Sequence, residues 1–189
     1  MTAICPDYLS EGLERIFADI RETRMGGVPV LNHRLDVEVV GMQPWGGYCL
    51  AILITPWFMN LMLLPNEGDD WSDLPLGSTQ YHVFPSGLYE FILGDEAGVG
   101  RYQMCSLFSP MYGFESQASA VATAEAAMAA IMRAAPRHWA LLGPADVLPG
   151  KDLRVRPRLD VRPSLNERMD KPLSRRDLLR AAFPGGARK

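Results

Sequence analysis

The period of the hydrophobic positions changes along the chain, and each change marks an element. Over residues 6–23 the apolar side chains Leu9, Leu13, Ile16, Phe17 and Ile20 return at helical spacing. Glu11, Glu14, Arg15, Asp19, Arg21 and Glu22 fall largely on the other side. This predicts a first helix packed on a sheet. Cys5-Pro6-Asp7 opens it, with proline in the first turn and Asp at the positive end of the dipole, and Gly26-Gly27 stops it. Residues 35–42 are then β-branched enough to form a strand, Pro44-Trp45-Gly46-Gly47 makes a hairpin turn, and residues 48–54 run back beside it.

The densest apolar stretch, residues 52–65, is far short of the ~20 residues a bilayer helix requires. Thr55-Pro56 divides it, because proline cannot donate to a sheet ladder and holds its predecessor extended. One run ends near Ile54 and the next covers residues 57–64. In the second, Trp57, Met59, Leu61 and Leu63 point one way, and Phe58, Asn60, Met62 and Leu64 the other. Neither side suits open water. One must cover the core and the other must lie under a helix or a partner.

Residues 66–75 form an acidic, turn-rich loop around Trp71, with Asp69 and Asp70 just before the ring. Residues 81–84, 88–93 and 101–107 are the remaining strand candidates, the first two joined at Pro85-Ser86-Gly87. Alanine-rich residues 114–135 predict a second helix, with Val121, Ala124, Met128, Ile131 and Met132 as its apolar stripe and Pro136 as its stop. Its small side chains allow close approach to the sheet. The expected fold is α+β: a mainly antiparallel sheet of about five or six strands with two helices packed on it. Residues 1–142 form the folded domain, and residues 143–189, punctuated by proline, glycine and charge, form a largely disordered tail.

Charge sharpens this division. Residues 151–189 carry 12 Lys/Arg and 5 Asp/Glu, a net +7, while residues 1–150 carry 7 and 17, a net −10. A nucleic-acid binder needs its basic groups across a folded face, so that class is set aside. An acidic body suits a cationic peptide instead. The three cysteines, Cys5, Cys49 and Cys105, are far apart and form no C-x-x-C pair, so neither a disulfide framework nor a metal site can be read from them. They point to a reducing compartment. With no leader at the N-terminus and no membrane-spanning window, the expectation is a cytoplasmic protein without stable membrane insertion.

Catalytic chemistry finds little support in the residues. Cys105-Ser106 has no G-x-S-x-G elbow around it, and no helix follows at once to lower the thiol pKa. His82 and Glu90 could make an acid–base pair only if the fold brought them together, and His33 has no second ligand at metal spacing. The expectation is no catalytic residue, no metal and no cofactor. An alternative keeps Cys105, His82 and Glu90 as groups of a small thiol-dependent or metal-delivery protein. Near the end, Ser174-Arg175-Arg176-Asp177-Leu178-Leu179-Arg180 has the order of a twin-arginine export signal but lacks the long apolar segment a working signal needs.

Five stretches taken together resemble the HybE-type, or HupJ-like, assembly chaperones of nickel–iron hydrogenases. They are Pro29-Val-Leu-Asn32, Val37-Glu-Val-Val-Gly41, Leu53-Ile-Thr-Pro-Trp-Phe-Met-Asn-Leu-Met-Leu63, Phe84-Pro-Ser-Gly-Leu-Tyr-Glu-Phe91 and Cys105-Ser-Leu-Phe-Ser-Pro-Met111. They run in order within residues 8–135. Some members of that family carry a fused rubredoxin domain, whose cysteine pairs this sequence lacks. The resemblance implies a non-enzymatic chaperone of the hydrogenase small-subunit precursor, with the large-subunit precursor as a further partner. It would delay export until the cofactors are in place and the subunits have joined. On this reading the client meets an apolar strip of Trp57, Phe58, Met59, Asn60 and Met62, rimmed by Glu90, Asp69 and Asp70. The tail residues Arg175, Arg176, Leu178 and Leu179 would mimic the client's leader and occupy that strip when it is empty.

Overall fold

The computed structural model describes residue 5 and residues 7–65 and 71–133. Asp69, Asp70, residues 143–189 and the twin-arginine-like residues Arg175, Arg176, Leu178 and Leu179 lie outside the described residues. Helix α1 (Asp7–Thr23) is followed by β1 (Glu38–Trp45), β2 (Tyr48–Ile54), β3 (Met59–Pro65), β4 (Thr79–Phe84), β5 (Gly87–Glu96), β6 (Gly100–Phe108) and α2 (Gln117–Ile131). The six strands form one antiparallel sheet in the order β1-β2-β3-β6-β5-β4.

Local chemistry sets these boundaries. Gly46 and Gly47 take φ of 56° and 93° between the paired Trp45 and Tyr48, the left-handed geometry a two-residue hairpin turn demands. In β1 the register slips between Val40 and Gln43, where Gly41 has φ 67°, so the strand bulges there. Ser116 caps α2 by accepting from the Ser119 backbone N–H while the Ser119 hydroxyl bonds back, a capping box that starts the helix three residues later than alanine content alone predicts.

The sheet has two covered layers. On its inner side Leu50, Ile52, Ile54, Met59, Leu61, Leu63, Phe84, Tyr89 and Phe91 pack with Ala120, Ala124, Ala127, Met128 and Ile131 of α2. The sheet curls far enough for Trp45, on one edge strand, to stack on Phe84, on the other, at 5.1 Å and 10°. On the outer side Leu13, Phe17 and Ile20 of α1 cover Cys49, Leu53, Met62, Leu64 and Tyr102. Strand β3 therefore runs through the middle with a helix-covered layer on each side.

The cysteine expectation is corrected here. Cys5 and Cys49 form a disulfide with Cα atoms 5.6 Å apart, closing a separation of 44 residues. Cys49 lies on the α1 side of β2 and Cys5 immediately precedes α1, so docking the helix brings the two together. Spacing along the chain carries no trace of that encounter.

Candidate functional site

The turn between β2 and β3 is built by Thr55. Its hydroxyl oxygen accepts from the Phe58 and Trp57 backbone N–H groups at 2.9 and 3.3 Å, and its own N–H donates to the Phe58 carbonyl at 2.8 Å. Thr55 is fully buried, and this knot pushes Trp57 and Phe58 out at the end of the sheet, both half-buried. Their rings meet edge to face at 5.5 Å, and Phe58 leans likewise on Phe17 of α1 at 5.9 Å. Because Trp57 sits in the turn rather than in the ladder, it joins the outer cluster with Phe58 instead of following the strand alternation.

Two further segments are tied to this end. The Asn32 backbone N–H donates to the Pro56 carbonyl at 2.9 Å. Its side-chain Nδ2 donates to the carbonyls of Met111 and Phe114 at 3.0 and 2.8 Å, and its Oδ1 accepts from the Arg34 N–H. The hydroxyl of exposed Tyr112 donates to the Pro29 carbonyl at 3.1 Å. Next to Pro56 opens a cavity of about 290 Å³, lined among others by Arg21, Glu22, Leu31, His33 and Asp36. Arg21 bridges to Asp36 at 2.9 Å and approaches Glu22 at 3.7 Å, both through largely exposed carboxylates. A half-buried aromatic pair thus follows directly on Pro56, which lines a polar cavity bearing two carboxylates that Arg21 engages.

Of the predicted apolar strip, Trp57 and Phe58 reach solvent. Met59 and Met62 are fully buried and Asn60 is 4 % exposed, because β3 is covered on both sides. Met59, Asn60 and Met62 therefore do not line an open surface. Asn60 keeps a polar cost: its Nδ2 meets the Met104 sulfur at 3.5 Å and its Oδ1 has no hydrogen-bond partner. Glu90 is exposed on the outward side of β5, two strands over from β3 in the sheet. His82 is fully buried on the inward side of β4, with Nε2 against Gln103 Oε1. His82 pairs across the ladder with Tyr89, and Glu90 with Tyr81, so His82 and Glu90 point to opposite sides of the sheet and make no acid–base pair. Among the described residues no group of three His, Cys, Asp or Glu could hold a metal ion. Sequence reading missed Asn32, Tyr112, Glu22 and Asp36. Glu22 was visible only as part of the polar face of the first helix, and Asn32 only at the end of a stretch that carries the resemblance.

The sequence matches the NiFe-hydrogenase assembly chaperone HybE family over residues 8–181. The chain belongs to the HybE family. It is 45 % identical over 135 residues to protein HoxT of Cupriavidus necator, covering 66 % of this chain and 75 % of that one. It is 43 % identical over 121 residues to the probable rubredoxin HupJ of Rhodobacter capsulatus, covering 64 % of this chain but 44 % of that relative. The solution structure of HybE from Escherichia coli is similar in fold, with a TM-score of 0.56 at 22 % identity over 66 % of this chain and 76 % of that one. As a HybE-family member the chain takes its place among hydrogenase assembly chaperones. Among the described residues no helix is long and apolar enough to cross a membrane.

Two buried phenols of this HybE-family fold give a pH dependence. Burial raises the Tyr89 pKa above 10.0, partly offset by its hydrogen bond with Ser86. Burial also raises that of Tyr102, helped by Glu96 and Asp95 and opposed by Arg24. Above pH 10 the unfolded phenols ionise first, so the unfolded state holds fewer protons and stability falls as pH rises further. Urea midpoints measured from pH ~9 to ~11.5 are expected to decline, and Tyr102→Phe to flatten part of that decline.

Proposed function

We propose that this chain binds the precursor of a hydrogenase small subunit in the cytoplasm, through the leader that carries its twin arginines. Holding that leader delays export until the cofactors are inserted and the large subunit has joined. Membership of the HybE family supports the assembly role. The single observation that supports the binding mode is the half-buried Trp57–Phe58 pair directly after Pro56, which lines the cavity that bears Glu22 and Asp36. A leader is basic and then apolar, so its guanidinium groups meet the carboxylates while its apolar residues pack on the two rings. The rings supply affinity and the exposed carboxylates mainly speed encounter. In a reducing compartment the Cys5–Cys49 bond opens to thiols, and α1 is still held by Leu13, Phe17 and Ile20.

The test is co-purification of the tagged chain with the small-subunit precursor, with and without the leader. Recovery is expected to drop at least tenfold when the leader is removed. Trp57→Ala is expected to weaken binding by about 2 kcal/mol, roughly thirtyfold, and Asp36→Lys to slow association more than it speeds release. Equal recovery of leaderless and complete precursor would overturn this reading.

A further inference from the structure

Strand β5 changes partner half-way along. Its residues 87–92 pair with β4 and its residues 92–96 with β6, so Ile92 alone has a ladder partner on both sides. Beyond the pair Ile92–Met104, β5 and β6 share no ladder pair among the described residues, and residues 105–108 of β6 pair with β3 only. The tip of the β4–β5 hairpin is fastened to α2 instead. The Ser86 N–H donates to the Ile131 carbonyl at 3.2 Å, the Ser86 and Tyr89 hydroxyls lie 2.7 Å apart, and Phe84 and Tyr89 pack in the α2 layer. The sheet is split between β5 and β6, and packing on the other side holds it so.

Alternation shows what the split leaves on β5. The Leu93 N–H donates to the Ser78 carbonyl at 2.9 Å and its carbonyl accepts from the Gly77 N–H at 2.8 Å, so Leu93 turns both groups to the β4 side. Successive residues of an antiparallel strand turn them to opposite neighbours. Tyr89 and Phe91 therefore face β4, while Leu88 and Glu90 face the split. Leu88 is half-buried and Glu90 exposed, so this edge is open to solvent. Two N–H and two C=O groups at strand spacing form a template for one more strand.

Charge narrows the occupant. None of the ion pairs among the described residues involves Glu90. Strands β4, β5 and β6 hold a single Arg or Lys, Arg101, whose Nη1 donates to the Trp71 and Leu74 carbonyls at 2.6 Å. A second copy paired antiparallel on this edge would set the two Glu90 carboxylates opposite or diagonal to each other, where like charges repel. An antiparallel strand from another protein meets Glu90 first and Leu88 two residues later, so a cation followed at that interval by an apolar side chain matches both.

We propose that the Leu88–Glu90 edge of β5 receives an extended segment of another polypeptide as an added antiparallel strand, with Arg or Lys opposite Glu90 and an apolar side chain opposite Leu88. Main-chain bonds supply the binding and the carboxylate sets register. The assignment does not rest on the leader reading, whose carboxylates are Glu22 and Asp36.

The test follows amide exchange by NMR in the isotope-labelled full-length chain, alone and with an acetylated, amidated Thr-Arg-Thr-Val-Thr peptide. In the free chain the Leu88 and Glu90 amides are expected to exchange at least about tenfold faster than those of Tyr89 and Phe91, and saturating peptide to remove most of that difference. The same peptide N-methylated at its Arg and Val amides is expected to bind at least about tenfold more weakly, since it loses the donors that face β5. Glu90→Lys is expected to weaken the original peptide roughly two- to fivefold, and a peptide with Glu in place of Arg to recover the loss. Slow Leu88 and Glu90 amides in the free chain, no change with peptide, or equal binding of the methylated peptide overturns the assignment. Protection that grows with protein concentration alone gives the edge to a second copy and overturns it as well.

Discussion

Phe91→Ala is expected to destabilise the fold by about 3–5 kcal/mol, whereas Ile92→Ala, one residue further on, costs less than about 1 kcal/mol. The contrast comes from strand alternation. Phe91 is fully buried on the inner side, edge to face with His82 at 5.1 Å and stacked near Phe84 at 5.9 Å. Removing the ring empties the region where the curled sheet closes on itself, and neighbours fixed in ladders on both sides collapse only partly into the space. Ile92 points outward and remains 42 % exposed. Urea unfolding of the two variants at unchanged m-value measures the difference directly. Equal losses would mean that β5 is presented the other way round.

Where local rules dominate, the sequence reads well. β-Branching predicted a strand over 35–42, where β1 runs Glu38–Trp45, the turn expected over 44–47 is Gly46-Gly47, residues 48–54 are β2, and apolar spacing predicted a helix over 6–23, where α1 runs Asp7–Thr23. Proline and the Thr55 hydroxyl broke the long apolar stretch where the structure breaks it. The alternation within Met59–Pro65 also holds, with Met59, Leu61 and Leu63 inward and Met62 and Leu64 outward. What the sequence leaves open is which layer covers the outward side, since a helix and a partner demand the same residue types. The partner was expected; α1 is what lies over Met62. The same long-range docking joins Cys5 to Cys49, and the strand order turns His82 and Glu90 to opposite sides. Neither follows from spacing. At the candidate site, Trp57 and Phe58 were legible as aromatic residues after a break. Glu22 and Asp36 were not, because they come from α1 and the loop after it and meet beside Pro56 only in the folded chain.

Asn32→Ala is expected to cost about 2–4 kcal/mol, an effect larger than its half-buried position suggests. Its Nδ2 satisfies two carbonyls, Met111 and Phe114, in the segment that leads from β6 into α2, while its N–H holds the Pro56 carbonyl in the turn that presents Trp57. Alanine keeps the backbone bond and removes both Nδ2 bonds and the bond Oδ1 accepts from the Arg34 N–H, each carbonyl left without its donor costing about 1–3 kcal/mol less whatever water restores. Three of the stretches that carry the family resemblance, ending at Asn32, spanning Pro56 and ending at Met111, are thus fastened through one residue, by its backbone N–H and its side-chain amide. Asn32→Asp is expected to be worse than alanine at neutral pH, because a carboxylate then faces two carbonyl oxygens. If the proposed function holds, the turn keeps its bond to the residue 32 N–H in Asn32→Ala, and precursor affinity of the folded variant stays close to that of the unaltered chain. Urea midpoints give the first quantity and precursor titration of the folded variant gives the second. Full stability in Asn32→Ala would show that the apolar contacts and the backbone bond to Pro56 suffice to hold the end of the sheet.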